Sequence, residues 1–190
     1  MEQLVERIKR DGRVRPGGIL KVDSFLNHRI DPALMYAMAQ ETARLFEGCG
    51  INKVLTVEAS GIAFAVMVGY VTDCPVVFAK KSRSANISDS VFSAPVHSYT
   101  HGNDNNIIVS REYLSPEDRL LLVDDFLAMG EALRGLRSLA SQAGATVVGA
   151  AVAVEKAFQP GGASLRAEGL RVEALARIAS MTDDSIEFCE

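Results

Sequence analysis

Two rhythms of apolar and polar positions run along the chain. Up to Phe46 the spacing is helical. Leu4, Val5 and Ile8 share one face of a short amphipathic helix that Gly12 would stop. Pro16, Gly17 and Gly18 open an irregular stretch that reaches Ile30 and has room for one short strand. Asp31 then caps a second helix, with Pro32 at its first position, where the missing N–H costs nothing. Leu34, Met35, Met38, Ala39, Thr42, Leu45 and Phe46 follow at helical spacing, and Gly48 or Gly50 ends it. The methionines read as core filler.

Beyond Asn52 the rhythm changes to unbroken apolar runs separated by helical segments. Lys53–Val57, Cys74–Lys80, Arg119–Asp125 and Thr146–Phe158 predict strands. Gly61–Thr72 predicts a helix of small residues able to sit close to a sheet, and Glu131–Ala145 a second helix. Strands that are apolar without alternation are buried on both faces, as in a parallel sheet. The repeated strand–helix order therefore predicts an α/β fold, an open, mostly parallel twisted sheet flanked by helices. One region breaks this order. Lys80–Arg111 is polar and rich in Ser and Asn, and its segments APVHSYT and NIIVSR flank HGNDN as in an antiparallel hairpin. A long polar excursion of this kind predicts a lid or binding loop.

Composition changes this picture little. A chain of 190 residues, 48% hydrophobic, suits one domain over residues 1–190 with a real core. A net charge of −4 without a basic block argues against nonspecific nucleic-acid or membrane binding. The first residues lack the apolar core of a signal peptide, and no run is long enough to span a bilayer. The scattered Cys49, Cys74 and Cys189 form no CxxC pair, which predicts reduced thiols in a cytoplasmic protein and no structural zinc.

The chemistry gathers where strands end, the edge at which open α/β sheets bind ligands. Four predicted strands end in polar groups: Glu58-Ala59-Ser60-Gly61, Lys80-Lys81, Asp124-Asp125 and Glu155-Lys156. The stretch LLLVDDFLAMGEAL, Leu120–Leu133, is the most informative. Gly130 stands just before a helix, so amides around Ala128–Ala132 can converge on an anion. Two carboxylates beside a phosphate repel it, but they suit the hydroxyls of a ribose 5-phosphate. There is no Walker A and no GxGxxG sequence. The bland alternative, in which the paired Asp residues only cap the next helix, stays open on these residues alone.

That stretch resembles the phosphoribosyl-pyrophosphate (PRPP) motif of the type I phosphoribosyltransferases. LKVDSFLNHRIDP, VEASGIAFAVMVG, CPVVFAKK, VEKAFQPGG and RVEALARI extend the resemblance over nearly the whole chain, toward the branch of that family that acts on xanthine in bacterial purine salvage. The resemblance implies transfer of phosphoribose from PRPP to xanthine, with Mg²⁺ held mainly by PRPP and water rather than by a protein metal site. It implies a cytoplasmic homodimer, with a small hood from the chain termini over the base and a polar lid hairpin. By the matching motifs, Ala128, Met129, Gly130, Glu131 and Ala132 cradle the 5′-phosphate, and Asp124 and Asp125 hold the ribose hydroxyls. Glu58, Ala59, Ser60 and Gly61 form the pyrophosphate loop, and Lys81 reaches the pyrophosphate. Leu20, Asn27 and Lys156 meet the base. Met129 replaces a Thr frequent in the family, so the cradle relies on backbone amides, and the Glu131 side chain is expected to point outward.

Other side chains have plainer readings beside functional ones. Phe158 can stack on the base or serve as core. His28 can support Asn27, while His97 and His101 read as solvated hairpin residues, and the Lys80–Arg83 run as a solvated turn or part of the site. Three rival functions remain: a PRPP-sensing regulator without catalysis, a transferase for guanine or hypoxanthine, and a purely structural α/β protein.

Overall fold

A computed structural model describes residues 1–81, 90–98 and 103–189, with only the backbone of 97, 98 and 103–105. The expectations for Arg83 and His101 lie outside the described residues, as does that for the His97 side chain.

Six strands form the central sheet: β3 (Lys53–Val57), β4 (Val76–Ala79), β7 (Arg119–Leu127), β8 (Thr146–Lys156), β9 (Val172–Met181) and β10 (Ile186–Phe188). Their order is β10-β9-β8-β7-β3-β4, and every pairing is parallel except that of β10 with β9. The apolar run of β7 explains its central place. Leu121 and Val123 enter the core on one face, and Leu120 and Leu122 the core on the other. With side chains alternating across the strand, a run apolar at every position is stable only when both faces are covered.

Three helices supply the first cover: α1 (Glu2–Asp11), α2 (Pro32–Leu45) and α3 (Gly61–Thr72). The Asp31 carboxylate accepts the Leu34 N–H at 3.2 Å, so α2 starts at the cap its sequence predicts. The small-residue helix α3 sits close because it must. A Cβ at Gly61 would lie 2.5 Å from Thr56 Oγ1 and 3.1 Å from Asp124 Oδ1.

The second face is covered by α4 (Glu131–Gln142), α5 (Pro160–Ala167) and the hairpin of β5 (Val91–Ser98) with β6 (Asn103–Ser110). The hairpin differs from a purely polar lid. Phe92, Ala94, Ile107 and Val109 are buried in the second core. They pack beside α4 at Gly135, where a Cβ would lie 2.5 Å from Val96 and 2.9 Å from Ile107. Alternation explains why the sequence looks polar there: only every second residue faces inward.

The stretch after α1, expected to be irregular, contains two short antiparallel strands, β1 (Arg13–Arg15) and β2 (Ile19–Lys21), joined through Pro16-Gly17-Gly18. Gly17 and Gly18 have φ of 87° and 72°, values that favour glycine and permit so tight a turn. A single π-helical turn, Asp23–Asn27, leads on toward α2.

Candidate active site

The carboxyl ends of β3, β4, β7 and β8 open into one cavity of about 860 Å³. Glu58, Ser60, Lys81, Asp124, Asp125 and Lys156 line it from the sheet, together with the whole turn Ala128–Ala132. Gly17, Gly18 and Ile19 close it from the β1–β2 turn, and Val96 and Ile107 from the hairpin. The four polar strand endings singled out in the sequence therefore converge.

Asp124 and Asp125, 5% and 9% exposed, are the most buried charges at the cavity. Burial first, then the neighbouring Asp125 charge, pushes the Asp124 carboxyl well above the ordinary carboxylate range. Its Oδ1 accepts the Asp125 N–H at 3.0 Å. Helix capping does not account for the pair: α4 has no side-chain cap, and its N-cap is Gly130. A buried carboxyl held beside a second carboxylate suits a ligand that brings hydroxyl donors or a cation.

The adjoining turn is shaped by what takes its carbonyls. The Gly161 N–H donates to Ala128 O at 3.2 Å, Arg134 Nη1 to Met129 O at 3.3 Å, and the Arg134 N–H to Gly130 O at 3.0 Å. With these carbonyls engaged, the first amides of α4, which have no partner within the helix, remain to meet an anion. Gly130 has φ of 87°, and a Cβ there would press on Arg134 and Leu165. No hydroxyl comes from Met129. Glu131 is half-buried and lies among the residues lining the cavity.

The loop after β3 is tied to the end of β4. Glu58 Oε1 accepts the Lys81 N–H at 2.7 Å, and the Glu58 N–H donates to Ala79 O at 3.0 Å. The Glu58–Ala59 peptide is cis. Ala59 is exposed and Gly61 buried, and neither lines the cavity. Among the described residues, no group of three or more His, Cys, Asp or Glu side chains is placed to hold a metal ion.

At the opposite end, Lys156 Nζ donates to Gly18 O at 2.9 Å and so holds the β1–β2 turn over the cavity. Burial lowers the pKa of this ammonium. Leu20 is part of the core beneath that turn, and the buried Oδ1 of Asn27 has no hydrogen-bond partner among the described residues; neither lines the cavity. Phe158 is exposed and stands outside it, and His28 lies in a different cleft.

Two residues at the site had not been singled out in the sequence. Gln159 lines the cavity with a buried, unpartnered Oε1; its only local signal is its place between β8 and the Pro160 that starts α5. Arg134 joins the Met129 carbonyl to Ser164 Oγ at 2.8 Å and Glu168 Oε1 at 2.7 Å. Nothing local distinguishes it from any helical arginine. Glu155, the residue before the last of β8, faces inward, and its carboxylate takes Arg166 at 2.6 Å and Arg177 at 3.0 Å. Burial alone would raise its pKa, but the Arg166 and then the Arg177 hydrogen bonds outweigh that and hold it below the usual value.

A phosphoribosyl transferase domain model matches residues 33–161. Xanthine phosphoribosyltransferase from Lactobacillus delbrueckii subsp. bulgaricus is 53% identical over 99% of this chain and 100% of its own. That from Moorella thermoacetica is 51% identical over 99% and 96%. The chain belongs to the xanthine phosphoribosyltransferase family. That from Limosilactobacillus reuteri is 48% identical over 99% of this chain and 98% of its own. Among solved structures, adenine phosphoribosyltransferase from Giardia lamblia in complex with 9-deazaadenine aligns with a TM-score of 0.78 at 19% identity, over 92% of this chain and 97% of that one. The enzyme from Rhodothermus marinus aligns with a TM-score of 0.76 at 22% identity, over 93% and 99%. At such identities the likeness is one of fold, and it matches the open parallel sheet seen here.

Proposed function

We propose that this chain transfers the 5-phosphoribosyl group of PRPP to xanthine, forming xanthosine 5′-monophosphate and pyrophosphate. The observation that carries the proposal is one cavity holding an amide turn, a buried acid pair and a lysine at separate places. In this reading the amides of Ala128, Met129, Gly130, Glu131 and Ala132 take the 5′-phosphate, and Asp124 and Asp125 take the two ribose hydroxyls. Glu58, Ala59, Ser60 and Gly61 shape the pyrophosphate side, and Lys81 neutralises charge as pyrophosphate departs. The purine nitrogen bonds to C1′ as the C1′–O bond to pyrophosphate breaks. The residues contribute mainly by holding donor and acceptor in line. No covalent nucleophile is required.

Mg²⁺ fits beside the acid pair: its hard oxygen ligands would come mainly from the phosphates of PRPP and from water, with the negative Asp124–Asp125 pair nearby. When bound, it supplies neutralisation of the leaving group. The raised Asp124 pKa supports this fit, because a nearby cation would relieve the repulsion.

Lys156 is assigned to the base. An ammonium has three donors, and the Gly18 carbonyl occupies one. A remaining donor suits the 6-oxo group or N7 of an oxopurine, whereas the 6-amino group of adenine leaves donor facing donor, at a cost of about 1–3 kcal/mol. Leu20 supports the hood from the core. Asn27 is assigned to the polar edge of the base by the matching motif, where its side-chain NH₂ would donate to the 2-oxo group. The proposal includes one domain over 1–190, cytoplasmic location and a homodimer. Val66 and Tyr70, exposed one turn apart on α3, support a subunit contact. Among the described residues, no helix is long and apolar enough to cross a membrane.

The test is a spectrophotometric assay with PRPP and Mg²⁺ against xanthine, guanine, hypoxanthine and adenine. The highest kcat/KM is expected for xanthine and the lowest for adenine. Absence of turnover with every purine, or a preference for adenine, overturns the assignment.

A further inference from the structure

A second cleft, of about 690 Å³, shares no lining residue with the cavity above. Arg7, Arg10, Arg13, Arg15, Lys21 and Arg29 line it against only two carboxylates, Asp11 and Asp23. In a chain of net charge −4 this is a pronounced local excess of cations. Asp11 and Asp31 pair with Arg7, Asp11 with Arg10, and Asp23 with Lys21. Arg13, Arg15 and Arg29 have no ion pair or hydrogen-bonded side-chain partner among the described residues.

The backbone places these charges where they oppose folding. Arg13 and Arg15, two residues apart on β1, project to one side of the strand, and Arg13 stands directly opposite Lys21 in the β1–β2 ladder. Like charges directly opposite across a strand pair are destabilising. The hairpin is short, so its three ladder pairs offer little to offset that repulsion. Gly12 brings the chain straight from α1 into β1, since a Cβ there would strike the Ile8 carbonyl. Arg7 and Arg10 on α1 thereby face the same space as Arg13 and Arg15.

We propose that this cleft binds a chain of two or three phosphates, either a free oligophosphate or the phosphate tail of a nucleotide. Guanidiniums arrayed without carboxylate partners match successive phosphate oxygens in fork geometry. The cleft volume falls within the range of small-molecule sites. The site is independent of the transferase reading.

Calorimetric titration of the full chain at low salt, with sodium tripolyphosphate and separately with ATP, tests it. A Lys81→Gln variant removes a cation of the main cavity and identifies binding there. In Arg13→Gln/Arg15→Gln the affinity of one class of sites is expected to fall by about a hundredfold, while Lys81→Gln keeps that class. Added salt should weaken it, as expected for an open charged cleft. Binding of ATP as well as tripolyphosphate identifies the phosphate chain as the common element; binding of tripolyphosphate alone identifies the free anion. Without ligand, the double variant is expected to melt no lower than the parent, because opposed cations have been removed. If it fails to fold, Arg29→Gln, off the hairpin, carries the same test. Unchanged tripolyphosphate affinity in the arginine variants, with loss only in Lys81→Gln, overturns the proposal.

Discussion

Gly161→Ala isolates the geometry of the Ala128–Ala132 turn, the proposed phosphate cradle. The Cβ added would lie under 3.0 Å from Ala128 O, from the Met129 carbonyl carbon and from Gly130 N, all backbone atoms of the turn. Ordinary contact begins at 3.4 Å, so either α5 or the turn must move. No flexible side-chain end is available to give way. Overpacking of this kind costs about 1–3 kcal/mol, while Gly→Ala within a helix returns about 1 kcal/mol of propensity. A net loss of roughly 0–2 kcal/mol should leave the protein folded. A displacement of about 1 Å in substrate-positioning groups lowers rate by about a hundredfold. The prediction is therefore a melting temperature reduced by at most several degrees and a kcat/KM for PRPP reduced about a hundredfold. Ala163→Gly, at an exposed position of the same helix, is the control, because it costs similar stability without touching the turn. Steady-state kinetics with PRPP varied, beside thermal melting, decide the matter. If Gly161→Ala keeps PRPP kinetics within about twofold, the turn is not positioned by α5 and the mechanism loses its anion site.

Three further changes probe the rest of the site. Asp124→Asn should raise the KM for PRPP about tenfold or more while increasing stability at neutral pH, since it removes a buried charge opposed by its neighbour. Because the Asp124 pKa is raised on folding, its contribution to stability is full below the unfolded value near 3.8 and is lost as pH rises through the folded value. The Asn variant should lack that downward slope in a pH series of denaturant melts, and an identical slope would contradict the buried pair. Glu155→Gln should cost about 1–3 kcal/mol by denaturant melting, less than a fully buried pair because Arg166 and Arg177 can regain water. Its lowered pKa gives the parent stability that is present above 4.5 and lost as pH falls through the folded value, a loss the Gln variant should not show. Lys156→Ala should lower kcat/KM for xanthine about tenfold or more while PRPP binding stays within about twofold; equal losses in both would remove Lys156 from the base.

The elements legible in the sequence are those decided by neighbours along the chain. Asp31 and Pro32 start α2 because capping needs only the next three residues. Lys53–Val57 and Gly61–Thr72 stand with the limits their pattern predicts, since an unbroken apolar run and a helical run of small residues each admit few arrangements. The acid pair, the glycine turn and the lysines were legible for the same reason: their chemistry is local, and strand ends in an open α/β sheet face one edge.

What the tertiary structure alone decided involves partners far apart in the chain. Lys156 meets Gly18 across 138 positions, and Arg134 meets Glu168 across 34. No periodicity encodes such pairs, because each depends on where whole elements come to rest. The hairpin reads as polar in sequence, yet one face of it is core, because Gly135 lets it settle on α4. Leu20, expected at the base by motif, packs in the core instead, and Gln159 enters the cavity only because α5 turns back onto the Ala128–Ala132 turn. The sequence by itself determined which chemistry the chain carries and on which strand ends it sits. Packing between distant segments determined which side chains reach the cavity, because burial depends on three-dimensional neighbours rather than on sequence order.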